Sequence, residues 1–247
     1  MNVKQYLDST YLKTASQARL TEAENKAVVK DAIAEAILEG FKLIMIRPEY
    51  VALAKEMILK ANSTLQVGTV IDFPEGKSSI ETKIKEANEA IENGADDLDF
   101  VCNYEAFKRG DTVLLKQEIL LGTQIGLAHN KTVKWIIEVA ALTDKEIIQL
   151  STLIKNVVMT NFKEENYGSV FVKSSTGFFK TKDDAPNGAT IPTIIMMLEN
   201  ASPLQIKAAG GVRSYDDAIE MIRLGVKRIG TSAAKAIASG QNTPNQY

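Results

Sequence analysis

Two lysines and a group of aspartates carry the chemistry that this chain could perform. Lys173 closes the apolar run SVFVK and is followed by Ser174, Ser175, Thr176 and Gly177. Lys207 sits in LQIKAAGG, the next apolar run. Burying an unpaired cation is costly, so a lysine in such a run is either ion-paired or used. Two lysines on neighbouring strands at similar depth lower each other's pKa, and an apolar wall lowers both further. A neutral amine can then attack a carbonyl carbon and form a Schiff base. Asp96, Asp97 and Asp99 lie in GADDLDFV. Strand alternation puts Asp97 and Asp99 on one face, with Asp96 and Leu98 on the other. Asp99, between Leu98 and Phe100, is the carboxylate placed to counter a lysine's charge and to shuttle protons. Lys134 and Glu138, four apart in VKWIIEVA, read as facing one way along a strand, as accessory members of an interior charge network.

A second constellation suits an anion. Ala209-Gly210-Gly211-Val212-Arg213 follows one strand-like run, and Gly230-Thr231-Ser232 ends another. Glycines let backbone N–H groups approach a phosphate, and a following helix N-terminus adds its dipole. Ser214 as a helix cap is the plain structural alternative for the glycine turn.

Composition narrows the choice of chemistry. The 247 residues are 45% hydrophobic and 24% charged, as expected for one globular domain or at most two small ones. A single Cys (Cys102) forbids an internal disulfide, and with a single His (His129) it cannot build a zinc cluster. His129 lies in the polar stretch AHNKT and reads as a surface residue, and Cys102 reads as a small buried group. The expectation is chemistry run by lysine and carboxylates, with no metal and no cofactor. Lys+Arg is 29 against Asp+Glu 31, a net charge of -2, so neither nucleic acid nor a membrane surface is the expected partner. The stretch MNVKQYLDST lacks a signal peptide's apolar core, and no apolar run approaches the roughly 20 residues of a membrane span. A cytoplasmic protein is expected.

The elements that must position these residues alternate along the chain. Strand-like runs fall at 5–12, 41–46, 65–71, 96–102, 133–140, 169–175, 204–210 and 226–232. Helical patterns lie between them, with capping-box spacing at Thr21/Glu24, Ser78/Glu81 and Thr143/Glu146. The pattern I-x-x-G recurs at Ile37–Gly40, Ile91–Gly94 and Ile222–Gly225, each time between a helix and the next strand. Eight strand–helix units of about 31 residues have the length of a βα repeat. Strands apolar along their whole length suit a parallel sheet buried on both faces. An open doubly wound sheet usually brings a G-x-G-x-x-G after its first strand, and none is present. The count and the size favour a single-domain (β/α)8 barrel over residues 1–239, with a polar tail over 240–247. In that fold the site lies at the C-terminal ends of the strands.

From about Leu7 to Ala234 the chain resembles the deoxyribose-phosphate aldolases, class I aldolases on a (β/α)8 barrel. The markers are LDSTYL, FPEG, GADDLDFV, VKSSTG, KAAGGVR and RIGTS, in family order. The resemblance implies reversible cleavage of 2-deoxy-D-ribose 5-phosphate to D-glyceraldehyde 3-phosphate and acetaldehyde. It makes Lys173 the Schiff-base lysine, Lys207 the lysine that perturbs it, and Asp99 the proton relay. Asp8, Thr10, Thr176, Gly177, Gly210, Gly211, Gly230 and Ser232 match substrate- and phosphate-side positions. Some members end in a tyrosine that reaches the site, which makes Tyr247 an accessory candidate. The family suggests a homodimer. The chain departs from the family pattern at Arg47, Phe178 and Ala233. Another phosphate-binding barrel, either an aldolase of different substrate or an isomerase, is the alternative enzyme. A sugar-phosphate-binding barrel without chemistry is the alternative outside catalysis.

Overall fold

The computed structural model describes residues 2–182 and 185–240. Eight parallel strands close into one barrel in chain order, with β8 returning to β1. They are β1 (Leu7–Tyr11), β2 (Leu43–Ile46), β3 (Gln66–Ile71), β4 (Asp97–Val101), β5 (Thr132–Ile136), β6 (Val170–Lys173), β7 (Gln205–Ala209) and β8 (Arg228–Thr231). Short α1 (Ala15–Ala18) and long α2 (Glu22–Glu39) follow β1, and α3 (Val51–Lys60) and α4 (Ile80–Glu92) follow β2 and β3. After β4 come α5 (Tyr104–Lys108) and α6 (Thr112–Ala128), and after β5 comes α7 (Asp144–Asn161). The remaining helices are α8 (Ile191–Ala201), α9 (Tyr215–Leu224) and α10 (Ala234–Ala238). This is the expected (β/α)8 barrel, with every strand inside the run that announced it except β5, which begins one residue earlier at Thr132.

Outward side chains of the strands form the main core against the helices. Phe100 of β4 stacks on Trp135 of β5 at 4.9 Å, and the indole N–H donates to Thr123 of α6. Gly122 lets α6 lie on that pair, since a Cβ there would stand 2.7 Å from Trp135. The helix ends follow the sequence signals closely. Thr21 and Thr143 form the expected capping boxes. The third box does not form: Ser79, not Ser78, caps α4 by accepting from the Thr82 N–H, while Ser78 is held by both carboxylate oxygens of Asp72. Gly40 and Gly225 end α2 and α9 in the left-handed conformation.

The barrel interior has two unlike sides. On β2 and β3 it is apolar, with Leu43 and Met45 packed against Gly68 and Val70. Phe73 and Phe178 extend this patch toward the mouth, edge to face at 5.1 Å. The Arg47 guanidinium covers the Phe73 ring and donates to the carbonyl of Leu12, tying three loops at the mouth. The strands from β4 round to β1 carry ions into the interior.

Candidate active site

Seven ionic side chains meet inside the barrel, all buried. Asp99 of β4 is the hub. Its Oδ2 accepts from Lys173 Nζ at 2.8 Å and from Lys207 Nζ at 2.9 Å, and its Oδ1 accepts from Lys134 Nζ at 2.7 Å. Lys134 also donates to Asp97 at 2.7 Å. Lys207 also lies 2.6 Å from Asp8. Arg228 spans the other two carboxylates, with Nε 2.7 Å from Asp8 and Nη2 3.1 Å from Asp97. Strand alternation explains the set: Asp97 and Asp99 share a face of β4, as the sequence reading required. Asp96 points away and pairs with Lys55 on α3. Gly230 makes room for Lys207, whose Cε would stand 3.0 Å from a Cβ at that position.

The electrostatics follow from burial and neighbours. Burial would raise the Asp99 carboxyl, but Lys134, Lys173 and Lys207 hold it well below the usual carboxylate range. Asp8 is likewise held low, by Arg228 and Lys207 against the effect of burial. Lys134 is raised, because Asp97 and Asp99 outweigh its burial. Lys173 goes the other way. Burial and the nearby Lys207 bring its amine down to about 8, although Asp99 opposes them. An amine with that value is partly neutral near pH 7 and can act as a nucleophile.

A cavity of about 460 Å³ opens at the C-terminal end of the strands. Thr10, Thr176, Gly177, Gly210, Gly211, Gly230 and Ser232 all line it, as the sequence reading placed them. Of the seven interior ions, only Lys173 borders it. Lys207, Asp99 and Lys134 lie behind that amine. Asp8 lies there too, paired with Lys207 and Arg228 rather than lining the space. Gly210 and Gly211 have φ of +77° and +86°, left-handed values that suit glycine and let the backbone face the cavity. Ser214 caps α9 in a capping box, so the turn serves that helix as well. Lys13 and Arg213 add two cations to the lining.

One expectation is corrected. Glu138 does not share a strand with Lys134, because β5 ends at Ile136 and Glu138 turns left-handed at φ 56°. Its carboxylate instead accepts from both the backbone N–H and the hydroxyl of Thr176, pinning the loop that follows Lys173. Burial raises its pKa against those bonds. Tyr247 lies outside the described residues. His129 is exposed at the end of α6, and burial pushes the Cys102 thiol well above its usual range. Arg228 was missed by sequence reading. Its signal was the two-residue step to Gly230, which puts both on the inward face of β8.

Fold and site together define a (β/α)8 aldolase-type enzyme, built around a buried amine at the mouth of the barrel. The model of the DeoC/LacD family aldolases matches residues 4–243. A deoxyribose-phosphate aldolase of Caldicellulosiruptor saccharolyticus is 36% identical over 96% of this chain and 97% of its own. One of Streptococcus pneumoniae is 35% identical over the full length of both. Among solved structures, an aldolase titled QR15 superposes with a TM-score of 0.80 at 29% identity, covering 97% of this chain and 95% of that one. A deoxyribose phosphate aldolase of Aeropyrum pernix, described as tetrameric, gives 0.76 at 27% identity, over 96% and 89%. The chain belongs to the DeoC/LacD aldolase family. Among the described residues no helix is long and apolar enough to cross a membrane.

Proposed function

We propose that the enzyme reversibly cleaves 2-deoxy-D-ribose 5-phosphate through a Schiff base on Lys173. The observation that carries this reading is that Lys173 alone joins the ion cluster to the cavity. The neutral amine attacks the aldehyde carbon C1, and the carbinolamine loses water to give an iminium. Loss of the C3 hydroxyl proton then breaks the C2–C3 bond. Its electron pair forms the enamine C1=C2, and D-glyceraldehyde 3-phosphate departs. Protonation at C2 and hydrolysis of the iminium release acetaldehyde and return the amine.

Asp99 is a low-pKa carboxylate touching both Lys173 and Lys207, so it can pass protons between the reacting amine and the lysine behind it. The glycine turn, Ser232, Lys13 and Arg213 supply N–H groups, a hydroxyl and positive charge for the phosphate. Binding energy from that remote group can hold C1 against the amine.

Borohydride reduction with substrate, followed by peptide mapping, tests the reading. A reduced two-carbon adduct on Lys173 is expected, and a Lys173→Ala protein that cleaves at the native rate would overturn it. Faster cleavage of fructose 1,6-bisphosphate than of deoxyribose 5-phosphate would favour an aldolase of different substrate.

A further inference from the structure

Arg228 is one of the interior ions to which the reaction above gives no task, and it is buried and bonded on both sides. Following the contacts from it returns to it: Arg228 to Asp8, Asp8 to Lys207, Lys207 to Asp99, Asp99 to Lys134, Lys134 to Asp97, and Asp97 to Arg228. This is a closed ring of alternating sign, with three cations and three carboxylates. Each cation in it touches two carboxylates. Lys173 stands outside the ring and touches one carboxylate oxygen, which it shares with Lys207. The ring is neutral by itself, so Lys173 is the surplus charge in a space where an unbalanced charge is costly.

The register shows why these residues divide as they do. Lys173, Lys207 and Arg228 lie side by side on β6, β7 and β8. Strands of a barrel tilt against its axis, so a row of registered residues changes depth as it runs round. Lys173 therefore meets the cavity, while Arg228 does not.

We propose that Arg228 is a positioning residue of the reaction, closing the neutral ring that leaves Lys173 as the one surplus cation and so frees it as the nucleophile. Arginine suits the post because it does not surrender its proton and its fork reaches two carboxylates at once. The charged groups around Lys173 are Asp99 and Asp97 from β4, Lys134 from β5, Lys207 from β7, and Asp8 and Arg228 from β1 and β8. Glu138, beyond β5, also acts on Lys173 through its charge, but lies outside the ring with its carboxylate bound to the backbone N–H and hydroxyl of Thr176.

The proposal rests on the Schiff-base reading, and one measurement separates the two. The pH dependence of borohydride-trapped acetaldehyde on Lys173 is recorded for the native enzyme and three variants. In Arg228→Met the surplus cation is gone, so Lys173 keeps its proton and the trapping midpoint rises by about one pH unit. In Asp97→Asn the surplus grows, and the midpoint falls. Arg228→Lys preserves the charge and keeps the native midpoint even where the rate drops. If Arg228→Met does not fold, the fall in Asp97→Asn against the fixed midpoint of Arg228→Lys decides. Native midpoints in both Arg228→Met and Asp97→Asn, or shifts of one sign, would overturn the role of Arg228. Absence of any adduct in the native enzyme would instead overturn the Schiff base itself.

Discussion

The molecule buries lysine amines in two separate places. Lys83 of α4 is surrounded by two carbonyls, of Val101 at 2.7 Å and Gly76 at 3.1 Å, and two carboxylates, of Glu118 at 2.8 Å and Asp72 at 3.4 Å. It does not line the cavity at the mouth of the barrel. It fastens the loop after β3, and hence Phe73, to the end of β4. Lys173 is as deeply buried, but has a fraction of one carboxylate and opens on the cavity. Burial alone therefore does not make a lysine reactive. What sets Lys173 apart is scarce counter-charge and access to the cavity, which the fold supplies at the end of β6 and withholds beneath α4.

Substitutions at the two lysines should break in different currencies. Lys173→Ala should lower kcat/KM by at least about a thousandfold with little loss of stability, because it removes the covalent step. Steady-state kinetics beside a thermal melt would check both halves. Lys83→Met should do the reverse. Leaving Glu118 and Asp72 without their cation should cost about 3–5 kcal/mol in denaturant unfolding, while the pH midpoint of the surviving activity stays in place. A shifted midpoint would show that the two clusters communicate.

The comparison sharpens with pH. Lys173 is the amine brought down to about 8, and its neutral form is the nucleophile of the proposed reaction. Raising the pH through that value increases the reactive fraction, so kcat/KM should climb about tenfold per unit below the midpoint and level off above it. A profile flat from pH 6 to 9 would remove Lys173 as the titrating group. The smallest effect belongs to His129. It is exposed at the end of α6, bonded to Ile125 of its own helix, and His129→Ala should leave kcat, KM and the profile within about twofold.

Much of this was legible in the chain itself, and the exceptions have physical causes. The alternation of apolar runs and capped helices announced all eight units, because period and caps are local properties. The strand ends were less legible: VKWIIEVA reads as one strand, but the backbone turns left-handed at Glu138 to meet Thr176, 38 residues on in the chain. The cap at Ser79 goes with a similar contact, Asp72 holding Ser78. Alternation placed Asp97 and Asp99 on one face, and the same two-residue step from Arg228 to Gly230 went unread.

The sequence alone pointed to lysine chemistry on a repeated βα scaffold. One His and one Cys exclude a Cys/His zinc cluster, and lysines inside apolar runs are too costly to keep unless they are ion-paired or used. Which ion faces which was decided only by closure of the barrel. Strand alternation says that a side chain points inward, but tilt and register set its depth and its neighbours across the interior. That closure joined three carboxylates and three cations into a ring and left Lys173 outside it, where it borders the cavity.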